Sequence, residues 1–163
     1  MNFNISQIQV TPAHGLFRTL KEMDFIEQKA FENTHFVSWV HSFFSSKCQS
    51  CIPGKIWKYM REIFSYLPDD PFDEVIRAPY LMPDLRTGDC DDFSLFAKTV
   101  IDILGGFNTN YILFAKEQNK FSHIAVLCYR GTYQNTMIDP VVIDGANKEF
   151  NSIPSKYKFY KII

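Results

Sequence analysis

The chain has 163 residues, 46% of them hydrophobic and 21% charged, enough to bury one core without disulfide or metal staples. A formal net charge of −1, with no polybasic run, gives no summed field to attract nucleic acid or an anionic membrane surface, so neither is expected as a partner. No stretch of the sequence approaches the length of a membrane span.

Met1 to Gln7 lacks the basic start and apolar run of a signal peptide, which predicts a cytoplasmic protein. In a reducing compartment the four cysteines read as thiols rather than as a disulfide framework. Helical spacing begins at Leu16, Leu20, Met23, Ile26 and Ala30, and a second, aromatic-rich helix follows over Phe36, Val37, Trp39, Val40, Phe43 and Phe44. His35, His41, Cys48 and Cys51 supply enough donors for tetrahedral zinc. His35 and His41 would point in different directions on one straight helix, however, so no metal is expected. After Pro53-Gly54 a third helix carries Ile56, Met60, Ile63, Phe64 and Leu67 on one face.

Gly88-Asp89-Cys90-Asp91-Asp92 leads directly into Phe93, Phe96, Ala97, Val100, Ile101 and Leu104, which predicts a buried helix stopped by Gly105-Gly106. Asp89 suits the N-cap, and Asp92 stands where a capping box carries its acid or amide. Cys90 thus falls in the first turn, where unpaired N–H groups and the positive end of the helix dipole favour a thiolate. Asp91 and Asp92 oppose that ionisation, so a positive partner is needed nearby.

Downstream, Tyr111 to Ala115 predicts a first strand and Phe121 to Tyr129 a second, with His123 near the start of the second. Tyr133 to Asp139 reads as the hairpin neighbour of that second strand, which sets Asp139 at a strand end before Pro140. Lys156 to Ile162 alternates as a last strand. A thiol nucleophile needs a base, and an imidazolium formed at His123 would also offset the aspartates beside Cys90. Asp139 could then accept from the other ring nitrogen and fix the tautomer. Helices followed by an antiparallel sheet make an α+β domain, expected as one unit over residues 1–163, with a helical part at 1–54 and a catalytic core at 55–163.

Taken together, Gly88-Asp89-Cys90-Asp91-Asp92, Ser122-His123-Ile124 and Ile138-Asp139-Pro140 resemble the transglutaminase-like branch of the papain-like cysteine enzymes. Upstream, Ile63 to Pro71 and Glu74 to Pro79 look like the helix end and proline-bearing lead-in of that family, and small stand-alone bacterial and phage members are the most similar. The resemblance implies a papain-like core, a Cys90, His123 and Asp139 triad, no cofactor, and a protein or peptide substrate. Cys90 would attack an amide carbon and form a thioester, which water resolves in a peptidase or amidase, the expected reading. Resolution by a lysine amine would instead make a transglutaminase-type acyltransferase, and a fold retained without turnover would make a binding or phage-assembly protein. The family also implies a second oxyanion donor upstream of the cysteine, for which Tyr66, Tyr80, Trp57 and Gln49 are all candidates and Tyr66 is preferred.

Overall fold

Helices precede and flank an antiparallel sheet in the computed structural model, which describes residues 14–70, 75–134 and 136–163. The reading of Met1 to Gln7, and residues 71–74 of the lead-in, lie outside the described residues. Among those described, no helix is long and apolar enough to cross a membrane.

The predicted helical stripes become α1 (His14–Glu32), α2 (Thr34–Phe44) and α3 (Ile52–Ile63). Asn33 starts α2 by accepting the Phe36 N–H at 3.0 Å, and the helix then buries Phe36, Val40 and Phe44 at four-residue steps. Ile52, Ile56 and Met60 do the same for α3. That helix ends four residues before the Leu67 expected of it: Phe64 turns extended, at φ −96° and ψ 139°, and Ser65–Tyr66 form β1. A short α4 (Met82–Leu85) precedes β2 (Thr87–Gly88), which pairs in parallel with β1. The next helix, α5 (Cys90–Leu104), is the centre of the packing. The Phe96 ring is wholly buried, with Phe64 at 5.1 Å, Tyr59 at 5.9 Å and Phe36 at 6.4 Å between centroids.

The remaining chain supplies β3 (Asn108–Ala115), β4 (Phe121–Tyr129), β5 (Gly131–Tyr133), β6 (Thr136–Ile138), β7 (Val141–Ile143) and β8 (Phe159–Ile162). The main sheet runs β7-β4-β3-β8 with every pair antiparallel. Leu113, Ile124, Val126, Cys128 and Ile143 join the core shared with the helices. Ile112, Phe114, Ala125, Leu127, Val142 and Ile162 form a second core with Met137, Ile153 and Tyr157. Both faces of β4 are therefore covered, which is why its sequence is apolar without alternation.

Two expectations need correction. The described residues of this segment, 133–134 and 136–139, do not pair with β4: β5 and β6 close on each other as a separate small hairpin, and β7 takes the place beside β4. Pro140 carries no N–H to donate, so the ladder with β4 begins only after it. The second correction concerns the cysteines. Cys48 and Cys51 are joined in a disulfide, which removes both as zinc ligands, while Cys90 and Cys128 are free and Cys128 is buried in the core.

Candidate active site

Everything around Cys90 follows from how α5 begins. Asp89 accepts the Asp91 N–H at 3.2 Å, and Asp92 reaches back to accept the Asp89 N–H at 3.2 Å, so the predicted capping box is formed. A Cβ on Gly88 would lie 2.7 Å from the Asp92 carboxylate, and only glycine lets the chain enter so close to its own cap. Asp92 is fully buried, and Arg77 compensates it: the Arg77 backbone N–H donates at 2.6 Å and its guanidinium at 2.5 Å. The same guanidinium holds Asp69 at 3.1 Å, which ties the lead-in segment to the helix start.

One turn into α5, Ser94 bonds back to the Cys90 carbonyl at 2.6 Å and across to the Ile124 carbonyl at 3.1 Å. The helix start is thereby stitched to β4 beside His123. Cys90 and His123 line one cleft of about 690 Å³, together with Asp89, Asp91 and Tyr66 and a wall from α1 that includes Leu16, Arg18 and Glu22. Tyr66, Ser122 and His123 also line a neighbouring hollow of about 680 Å³, completed by Asp144, Lys148 and Tyr157.

His123 does not meet Asp139. Its Nε2 lies 2.8 Å from Asp144 Oδ2, and both side chains are nearly inaccessible to solvent. The register explains the difference. With Val126 opposite Ile143 and Cys128 opposite Val141, the antiparallel count sets Asp144 opposite Ala125, on the face and diagonal that His123 occupies. The same count sets Asp139 opposite Arg130, whose Nε lies 3.6 Å from its carboxylate on the exposed surface. Arg130, just past the end of β4, is seven positions beyond His123, about 23 Å at the usual strand rise. The legible signal for Asp144 is the β-branched run Val141-Val142-Ile143 that ends on it.

Three features hold the imidazole and the carboxylate in place. Tyr157 stacks on the His123 ring at 5.3 Å with planes 5° apart, and Phe114 stacks at 5.9 Å. Asp144 Oδ1 accepts the Ala146 N–H at 3.0 Å, leaving Oδ2 for the histidine. Beyond it Gly145 presses on α5 and α3: a Cβ there would lie 2.9 Å from the Phe93 ring and 3.2 Å from Met60. Arg61 of α3 donates to the Gly145 carbonyl at 3.2 Å.

The Cys90 thiol is not the ready thiolate expected of a helix N-terminus. Burial above all, with the charges of Asp89, Asp91 and Asp144 behind it, pushes it up to about 12, against a hydrogen bond from the Ile124 backbone that pulls only partly back. Tyr66 lies in β1 rather than at a helix end, in register with Gly88, with its ring edge-on to Phe93 at 6.1 Å. Burial, then the Cys90 and Asp89 charges, raises its hydroxyl above the ordinary value, so the group stays a hydrogen-bond donor beside the cleft. Trp57, Gln49 and Tyr80 make their contacts elsewhere: Trp57 packs on Phe150, Gln49 stands against Gly106, and Tyr80 joins the helical core. Oxygens of Asp89, Asp91 and Asp92 come within 4.8 Å of one another, a spacing that could hold a cation.

No family model and no curated protein sequence matches this chain. Solved structures do match its fold. LapG of Legionella pneumophila superposes with a TM-score of 0.52 at 16% identity, over 78% of this chain and 75% of that one. A calcium-bound form of LapG gives 0.51 at 17% identity, over 83% and 80%, and an EGTA-treated form gives 0.55 at 16%. A candidate protease from Parabacteroides distasonis gives 0.54 at 9% identity, over 82% of this chain but 30% of that one. At such identities the likeness establishes the fold, an α+β arrangement shared with LapG.

Proposed function

We propose that this protein is a cysteine peptidase of the transglutaminase-like type, with Cys90 as nucleophile, His123 as base and then acid, and Asp144 in the orienting role that the sequence suggested for Asp139. The reading rests on one observation: His123, whose Nε2 lies 2.8 Å from the buried Asp144 carboxylate, lines the same cleft as the free Cys90. With Nε2–H directed at Asp144, Nδ1 keeps its lone pair and is the nitrogen able to take a proton from sulfur. Attack on an amide carbon then gives a thioester, and His123 returns the proton to the leaving amine. The Cys90 N–H and the Tyr66 hydroxyl are the donors proposed for the oxyanion. A protease-like role is also in keeping with the solved neighbours. Incubation with an unfolded polypeptide such as casein, with new termini read by mass spectrometry, is expected to show cleavage by the native chain and none by Cys90→Ala. Full turnover by that variant would refute the assignment.

Burial of the thiol, with the flanking acids adding to it, favours the rival reading, a binding protein without turnover, because together they hold the thiol protonated. A bound cation would change that balance. LapG has been seen calcium-bound, and Asp89 and Asp91 present the hard oxygen donors calcium takes, Asp92 being committed to Arg77. A divalent charge there would offset Asp89 and Asp91, two of the three acids that raise Cys90. Calcium is expected to raise the melting temperature of the native chain, EGTA to reverse the rise, and Asp91→Asn to abolish it.

A further inference from the structure

One pair of cysteines takes no part in the cleft. Cys48 and Cys51 are exposed, and their disulfide lies in a short 3-10 turn (Gln49–Cys51) that runs straight into α3. We propose that Cys48–Cys51 is a reversible two-electron redox site, which a dithiol reductant opens and a disulfide oxidant closes.

Exposure is the first ground, since exchange requires a thiolate to reach one of the sulfurs, and here no unfolding stands in the way. Spacing is the second. With two residues between the cysteines and their Cα atoms 5.3 Å apart, the bridge closes a very short loop, so opening it gives back little chain entropy and closing it again requires no long search. The third is charge. Cys51 is the N-cap of the twelve-residue α3 and makes no side-chain cap bond, so the unpaired N–H groups and the dipole there favour a thiolate in the reduced form. Residues 45–55 hold Lys47 and Lys55 and no acid, the reverse of the setting of Cys90 among Asp89, Asp91 and Asp92. One cysteine pair is thus built for thiol exchange, while Cys90 is held protonated until a base acts on it.

The chemistry balances with a dithiol of the thioredoxin kind as co-reactant. Its thiolate attacks one sulfur, the S–S bond breaks and a mixed disulfide forms. Its second thiolate then attacks that mixed disulfide and leaves as the oxidised reductant. Two electrons and two protons pass to Cys48 and Cys51. The full chain, purified without reductant, is to be treated with dithiothreitol under native conditions, quenched with a maleimide and mapped by peptide mass spectrometry. Two adducts are expected at Cys48 and Cys51 with the circular dichroism spectrum unchanged, and excess glutathione disulfide added to the reduced chain before the maleimide is expected to prevent both. Cys48→Ser should carry one glutathione at Cys51. Labelling of the pair only after denaturation, or two thiols that stay reduced in excess glutathione disulfide, would overturn the proposal, and the native chain alone decides both.

Discussion

Asp139 and Asp144 are both aspartates that follow isoleucine, and the structure gives them opposite surroundings: Asp139 is exposed beside Arg130, and Asp144 is buried against His123. Amide substitution separates them. Asp144→Asn keeps the shape but can offer its NH2 to the ring nitrogen, which favours the wrong tautomer, so kcat is expected to fall by roughly 10²–10⁴ with a smaller change in KM. Asp139→Asn should leave kcat/KM within about twofold, since a half-exposed ion pair at 3.6 Å contributes little. Equal losses in the two variants would remove Asp144 from its proposed role. The sequence made Cys90 and His123 visible because their settings are local, a capped helix start and an apolar strand. It pointed to Asp139 because Ile138-Asp139-Pro140 satisfies the family pattern, while the choice between the two carboxylates depends on pairing across β4.

At the scale of elements, the site is a meeting of three termini: the start of α5, the start of β4 and the end of β7. The first was legible because a capping box is written in four consecutive residues. The third was not, because Pro140 and the small β5–β6 hairpin shift which segment continues the sheet. Gly145 is where the β7 end is pressed onto the helices, with Phe93 and Met60 filling the space a side chain would need. Both neighbours are buried, so they cannot swing clear. Gly145→Ala is therefore expected to push the turn outward and carry Asp144 away from His123. A stability loss of about 1–3 kcal/mol should accompany a fall in kcat of up to about 10²-fold, read by denaturant titration and by casein cleavage. A variant with full activity and full stability would mean that the turn has room the structure does not give it.

Across the whole molecule, α1 forms one wall of the cleft and is fastened to α5 by a buried network. Lys98 of α5 donates to Glu27 of α1 at 2.7 Å and to Asp102 at 2.8 Å, and Thr109 of β3 donates to the other Asp102 oxygen at 2.7 Å. Because Lys98 serves two carboxylates, it does not fully offset the burial of Glu27, whose carboxyl is pushed up to about 7 and whose Oε1 has no hydrogen-bond partner among the described residues. Between the unfolded value near 4.5 and the folded value near 7, the folded chain binds more protons than the unfolded one. The contribution of this group to stability is therefore complete in acid, declines as pH rises through that window, and levels off above it. Denaturant midpoints of the native chain and Glu27→Gln, compared from pH 5 to pH 8, isolate the effect from the other titrating groups. The difference between them should shift in favour of the glutamine variant as pH rises, since an amide keeps the neutral form of the side chain at every pH. A difference constant across the range would show that Lys98 holds Glu27 ionised throughout and that the attachment of α1 beside the cleft does not respond to pH.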